Sequence, residues 1–362
     1  RQDVLLVRGS GAHVWDSDGR EYLDFVAGIA VNNVGHCHPK VVGAVAAQAE
    51  RLIHTSNLYY TENQVLLAEE LKGLTGMDRA YFCNSGAESV EAALKLTRRA
   101  KGRSKIVAAE RAFHGRTLGA LGATYKSAYR EPFRPLREAA FVPYNDVEAL
   151  KSAATSDTGA VILEPVQGEA GVYVAESDYL RAAREICDDR NALLIFDEVQ
   201  TGFGRTGEWF GKDHFSVKPD IMTLAKAMAS GLPMGAMLAS GDAADALTKG
   251  DHGSTFAGGP VVCAAALAVI DVIREEKLVA RSRENGVYLK SELAKLGPRE
   301  VRGMGLMVGI DLDADCKSLV EKALAQGVLI NSTGEHTLRL IPPLVVDKKD
   351  IDQVVSVIGQ SL

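Results

Sequence analysis

Two carboxylates stand at the end of an unbroken apolar run, Leu193-Leu194-Ile195-Phe196-Asp197-Glu198. Four apolar residues without alternation read as a strand buried on both faces. A carboxylate at the end of such a strand is costly unless it meets a cation or a donor, so Asp197 is expected to face something positive, and Glu198 is read as half of a structural ion pair. A second run, Ile221-Met222-Thr223-Leu224, leads into Ala225-Lys226-Ala227-Met228-Ala229. A lysine among small and apolar residues is partly desolvated, which lowers its pKa and favours Schiff-base chemistry; a snorkelling lysine is the plainer alternative. Asn84-Ser85-Gly86-Ala87-Glu88 follows a third run, and Ser85 with Glu88 forms a capping box. A well-capped helix explains that motif alone, and the free amides at the same helix start also make a phosphate cradle. Phe113-His114-Gly115-Arg116-Thr117 follows a fourth run, and there Phe113 as plain core and Arg116 as a surface ion-pair partner are the simplest readings.

Taken singly, none of these residues is decisive. Together they put a phosphate cradle, an aromatic plate, a buried carboxylate and a desolvated lysine on one sheet edge. Pyridoxal phosphate needs all four: it has a phosphate, a flat ring with a basic nitrogen, and an aldehyde for a Schiff-base lysine. Gly202-Phe203-Gly204-Arg205-Thr206-Gly207 matches the dinucleotide fingerprint in letters only. That fingerprint belongs in the tight turn directly after a strand and opens a helix, whereas here Asp197–Thr201 intervene and the stretch to Pro219 is a poor helix.

The elements that must carry these residues alternate. Helical patterns over 64–72, 88–99, 146–154 and 178–191 are interleaved with strand patterns over 80–83, 106–108, 160–163, 193–196, 221–224 and 234–240. Such alternation predicts an α/β fold with a mainly parallel central sheet flanked by helices, whose ligands bind beyond the carboxyl ends of the strands. Before it, Val14-Trp15 and Tyr22–Phe25 flank Asp18-Gly19, a hairpin signal, and residues 28–39 read as a loop. After it come two long helical patterns, 260–274 and 278–296, then a change of character at Gly297-Pro298 to mixed strand and helix. The expected organisation is an N-terminal segment, 1–61, that joins the small domain; a large cofactor-binding domain with its connecting helix, 62–296; and a small C-terminal domain, 297–362.

With 362 residues the chain exceeds the size at which one core stops growing. A net charge of −6 gives no sign of a nucleic-acid binder, and the apolar runs are too short to span a bilayer. The five cysteines, at 37, 83, 187, 263 and 316, are odd in number and scattered, which fits a reducing compartment better than a disulfide framework. His36-Cys37-His38 has no second cluster to complete a metal site and is read as structural. The first residue is Arg1, which leaves room for a removed targeting segment.

Phe196–Gly207 with Pro219–Lys226 resembles the signature of the class III, or ω-, aminotransferases, fold-type I pyridoxal-phosphate enzymes with a large domain and a smaller α+β domain from the two chain ends. Gly28–Val31, Gly35–Pro39, Asn84–Glu88, Phe113–Thr117, Glu164–Gly171 and Leu338–Pro343 are similar to the acetylornithine aminotransferase group. The resemblance covers essentially the whole chain. It implies that Lys226 bonds the cofactor aldehyde and then shuttles the proton, and that Asp197 keeps the ring nitrogen protonated. It implies that Val199 and Phe113 pack on opposite ring faces, that Gln200 reaches the ring hydroxyl, and that Ser85, Gly86 and Ala87 hold the phosphate. Thr255 is implied to reach the phosphate of a neighbouring subunit, with Ser254 near the substrate, which makes a cytoplasmic homodimer the minimum active unit.

On the substrate side the resemblance implies Arg116 as the clamp for the donor's distal carboxylate and Arg339 as the second arginine for 2-oxoglutarate. Glu169 is implied to mask Arg339 in the first half-reaction and to swing aside in the second; a permanent structural salt bridge is the alternative. Ornithine aminotransferases have a tyrosine where this chain has Ile29, which speaks against free ornithine and leaves N-acetylornithine and 4-aminobutyrate open. The stretches Tyr129–Leu136 and Val301–Gly309 resemble the branch that aminates lysine precursors on a small acidic amino-group carrier protein, with Arg130, Arg134 and Arg137 as docking candidates or as a solvated basic loop. The expected activity is transfer of the terminal amine of N-acetylornithine, or a related acylated diamine, to 2-oxoglutarate, in arginine or lysine biosynthesis. Carrier-linked γ-lysine or aminoadipate-semialdehyde transamination, 4-aminobutyrate transamination and an aminomutase reaction are the competing readings.

Overall fold

The computed structural model describes residues 2–362. At its centre is a seven-stranded sheet whose spatial order is 79–83, 235–239, 221–224, 193–197, 158–163, 105–109, 140–142. The Leu193–Asp197 strand pairs in parallel with Ile221–Leu224 on one side and Thr158–Leu163 on the other. Gly235–Ala239 runs antiparallel to both its neighbours, so the sheet is mainly parallel, as the alternating pattern predicts. Ala140–Val142 is a further edge strand that the sequence pattern does not reveal; three residues are too few to show a period.

Side chains of the central strand alternate between two cores, as a pleated strand requires. Leu194 and Phe196 face helices Val147–Ala153 and Ser177–Arg190, packing with Leu150, Tyr179 and Leu180. Leu193 and Ile195 face helix Gly86–Lys101, packing with Val90, Ala93 and Leu96. The continuous apolar run arises from burial on both faces. Asp197 is the last residue of this strand, and the same parity puts it on the side of helix Gly86–Lys101.

The two chain ends meet. Strands Leu6–Ser10, His13–Asp16 and Glu21–Asp24 form an antiparallel set, the last two around the Asp18-Gly19 turn, and Val328–Leu329 adds to it in parallel beside Leu23 and Asp24. A four-stranded sheet orders Glu300–Met304, Met307–Asp311, Thr337–Leu340 and Asn331–Ser332. The long connector is two helices, Pro260–Glu275 and Leu278–Ala294, broken where Lys277 turns left-handed at φ 55°.

The glycine-rich stretch after the central strand packs against this C-terminal sheet. A Cβ on Gly305 would lie 2.4 Å from the Thr206 carbonyl carbon. Arg205 is fully buried and donates to the carbonyls of Leu306 and Pro342 and to Asn33 Oδ1, at 2.9, 2.6 and 2.5 Å. Burial pushes its pKa down to about 9. The glycines give close backbone approach between chain segments about a hundred residues apart. His36 and His38 meet carboxylates, Asp24 at 2.8 Å and Glu276 at 2.9 Å. Among the described residues no helix is long and apolar enough to cross a membrane.

Candidate active site

Beyond the carboxyl ends of the parallel strands lies a cavity of about 390 Å³. Its walls come from the segments that follow four strands: Asn84–Ala87, Phe113–Gly115, Asp197–Gln200 and Ala225–Lys226, with Glu164 and Glu169 from a fifth. Of the residues singled out in the sequence, Ser85, Gly86, Ala87, Phe113, Asp197, Val199, Gln200, Lys226 and Glu169 line this one space.

Each wall has a local cause. Ser85 caps helix Gly86–Lys101, its hydroxyl accepting from Glu88 N at 3.2 Å, and the Glu88 carboxylate accepts from Asn84 N at 2.6 Å. The amides of the first turn have no partner within a helix, and they carry its positive end. A Cβ on Gly86 would lie 2.9 Å from Val199 Cγ1, so the residue type keeps backbone exposed where a side chain would close the gap. Asp197 is fastened from three directions. Its Oδ2 meets His114 Nδ1 at 2.7 Å, and its Oδ1 accepts from Thr223 Oγ1 and Val199 N, both at 3.1 Å. Lys226 sits left-handed at φ 45°, at the start of a short 3₁₀ turn. Its pKa is pushed down to about 8, first by burial and then by the charge of Arg339, against the pull of Asp197.

Two functional residues escape the sequence reading. His114 is buried beside Asp197, with Nε2 lacking any partner. Burial alone would lower its pKa, but the hydrogen bond and charge of Asp197 together with the charge of Glu164 outweigh that, and the net shift is upward. Glu164 accepts from Phe113 N at 2.9 Å, and burial pushes its carboxyl up to about 7. Both stand inside motifs quoted for other residues; their 83- and 51-residue separations from their partners leave no local signal.

Glu198 needs correcting. It is no ion-pair partner: its buried carboxylate accepts from Gly211 N and Lys212 N, each at 2.7 Å, and from the Thr201 hydroxyl. Burial pushes its pKa up to about 7.

Other predicted residues lie off the cavity wall. Arg339 Nη1 donates to Glu169 Oε2 at 3.0 Å and to Gly168 O at 3.1 Å; its side chain is 2% exposed against 37% for Glu169. Arg116 is exposed and lies over the Tyr129 ring, 3.8 Å from its centroid. Ser254 Oγ accepts from the Asn84 amide at 3.1 Å, while Thr255 is exposed and Phe256 is 69% exposed. Ile29 is exposed, within a left-handed turn spanning Ala27–Ala30.

The donor set fits pyridoxal phosphate on features of the chain alone. The cavity joins a helix start free of side chains at Gly86, an anchored carboxylate at Asp197, an aromatic at Phe113 and a lysine held near 8. Gln200 also lines the cavity, and its Oε1 is buried beside Gly168 without a hydrogen-bond partner.

A fold and site of this kind define a pyridoxal-phosphate-dependent transferase. Comparison narrows the class: the family model "Aminotransferase class-III" matches residues 1–362, and the chain belongs to that family. An acetylornithine aminotransferase of Methanosarcina acetivorans is 57% identical over 366 residues, covering 100% of this chain and 92% of its own. A Toxoplasma gondii ornithine aminotransferase structure with partial occupancy of PLP at its active site superposes with TM-score 0.95 at 34% identity, covering 100% and 90% of the two chains. An acetylornithine aminotransferase from Elizabethkingia anophelis superposes with TM-score 0.87 at 34% identity, covering 100% and 94%. The protein is therefore a pyridoxal-phosphate-dependent aminotransferase.

Proposed function

We propose that the enzyme moves the terminal amine of N-acetylornithine to 2-oxoglutarate, giving the semialdehyde and glutamate. The observation that carries this reading is the pair Glu169–Arg339 beside Lys226. A dicarboxylate acceptor needs a cation close to the reacting carbon, and a terminal-amine donor is better served when that cation is covered. Arg339 is buried and anchored, whereas Glu169 is the more exposed partner and the one free to leave. The similar enzymes of Methanosarcina acetivorans and Elizabethkingia anophelis, both named acetylornithine aminotransferase, support the same reading.

The cofactor, when bound, supplies an aldehyde for the amine and an electron-withdrawing ring. The chain's part is then as follows. Lys226 Nζ, with its lowered pKa, carries on the order of a hundredfold more free base near neutrality than an ordinary lysine, so it is the group that would bond an aldehyde and pass protons. The Asp197 carboxylate, oriented by His114 at Oδ2 and Thr223 at Oδ1, would hold a proton on the ring nitrogen. Val199 and Phe113 would pack on its ring, Gln200 would serve its hydroxyl, and Ser85, Gly86 and Ala87 would hold the phosphate at the helix start. Arg116 clamps the donor's distal carboxylate, and Arg339 binds 2-oxoglutarate once Glu169 moves.

A homodimer in the cytoplasm completes the reading. Thr255 and Phe256 project from their own chain, and Leu58, Tyr59 and Tyr60 are 84%, 71% and 93% exposed, an apolar surface suited to a second copy that receives Thr255 at its phosphate site. The carrier-protein alternative has less support: Arg130 is buried against Glu138, and Arg134 pairs with Glu138 at 2.9 Å and Glu131 at 3.2 Å. The deciding experiment compares kcat/KM for N-acetylornithine, ornithine, 4-aminobutyrate and carrier-linked lysine. N-acetylornithine should lead; a tenfold preference for any other donor overturns the assignment.

A further inference from the structure

Four residues stand in one row across the C-terminal sheet. Register pairs Arg302 with Gly309, Gly309 with Arg339, and Arg339 with Asn331. Gly309 leaves a gap between the two arginines, and the loop 168–172 fills it: a Cβ on Gly309 would lie 2.5 Å from Gly171 O and 3.1 Å from Val172 Cβ. Each arginine holds one end of that loop. Arg339 donates to Gly168 O at 3.1 Å, and Arg302 Nε donates to Gly171 O at 2.9 Å. The loop is held in a conformation it would not keep unaided, with Gly171 at φ 118° and Val172 at φ 64°, where a β-branched residue is strained.

Arg302 is itself immobilised. Asp311 accepts from its Nη1 and Nη2 at 2.6 and 3.0 Å, Glu300 accepts at 2.9 Å, and its guanidinium lies 4.3 Å from the Tyr173 ring centroid. Thr337 adds a hydrogen bond to Asp311 at 2.6 Å. The fork is held within its own sheet by Asp311 and Glu300, and that leaves Nε fixed in place for the Gly171 carbonyl of a loop from another sheet.

We propose that Arg302 is a positioning residue for Glu169: it latches the far end of the loop so that the carboxylate rests on Arg339 and leaves only when a dicarboxylate competes for it. The proposal rests on Glu169 acting as a movable mask. Releasing the latch makes displacement of Glu169 easier, so a dicarboxylate binds more tightly, while discrimination against α-amino donors falls.

The test uses the holoenzyme and glutarate, a non-reacting dicarboxylate, with Kd measured calorimetrically for wild type, Arg302→Met, Glu169→Ala and the double variant, alongside the kcat/KM ratio of N-acetylornithine to glutamate in single half-reactions. One hydrogen bond to a charged group corresponds to about a tenfold change. Arg302→Met should tighten glutarate about tenfold and lower the ratio similarly, and it should add nothing in the Glu169→Ala background. A purely structural role would lower the melting temperature in both backgrounds and leave glutarate binding unmoved. Should Arg302→Met not fold, Gly309→Ala decides the matter, because its Cβ pushes Gly171 off the sheet and should tighten glutarate in the same way. If Glu169→Ala leaves glutarate binding unchanged, the mask itself is refuted. If Glu169→Ala tightens it but folded Arg302→Met and Gly309→Ala do not, the latch alone is refuted.

Discussion

Lys226 should destabilise the cofactor-free protein at neutral pH. Its pKa falls from 10.5 to about 8 on folding, which corresponds to about 3 kcal/mol. The side chain is only partly buried, because it opens on the cavity. Cavity water therefore reduces the cost, and about 2 kcal/mol is the better expectation. A folded value below the unfolded one means that the neutral form prefers the folded state. The cost is then present in full below about pH 8 and disappears as pH rises to 10.5. Lys226→Met keeps the length of the side chain and removes the charge. In protein stripped of cofactor it should raise the melting temperature by roughly 3 °C at pH 7, and the gap from wild type should close between pH 8 and 10.5. Thermal unfolding of both proteins across that range reads both effects. A destabilised Lys226→Met at pH 7, or a gap that does not depend on pH, refutes the account of a desolvated lysine.

Gly86→Ala should weaken pyridoxal-phosphate binding at least about tenfold with little loss of stability, since Val199 must retreat from the cradle; a cofactor titration followed by absorbance checks it. Arg205→Met should cost about 3 kcal/mol or more, because three buried acceptors lose their donor; the urea midpoint measures this. Glu198 has a folded pKa near 7, above the ordinary carboxylate value, so it favours folding below that value and loses the advantage as pH rises towards 7. Glu198→Gln should flatten the stability profile between about pH 4.5 and 7, read by melting temperature. Arg339→Ala should slow the 2-oxoglutarate half-reaction much more than the donor half-reaction in rapid-mixing experiments.

Local patterns carried much of the argument. The runs ending at Asp197 and at Leu224 announced doubly buried strands, because parallel strands covered by helices need apolar residues on both faces. Ser85 and Glu88 announced a helix start, because a cap is chemistry within one turn. These signals sufficed to put Lys226, Asp197 and the phosphate cradle on one sheet edge, and the order of strands and helices sufficed for the fold class. What depends on contacts between distant segments had no such signature. His114 meets Asp197 across 83 residues, and nothing in Phe113–Thr117 distinguishes it from a core histidine. Glu198 looked like half of an ion pair, but the turn that folds Gly211 and Lys212 back on it supplies backbone amides instead. The glycine run 202–207 imitated a dinucleotide loop; packing against Gly305 decided its role. Arg302 and Gly309 read as parts of a strand-rich stretch that resembles the carrier-protein branch, and only the register of the C-terminal sheet brought them into one row with Arg339. Residue type and period determine which segments become strands and helices and what each can bond, since those are short-range properties of the backbone and side chains. Which carboxylate meets which donor depends on burial and register between segments remote in sequence, and these arise only when the sheets assemble.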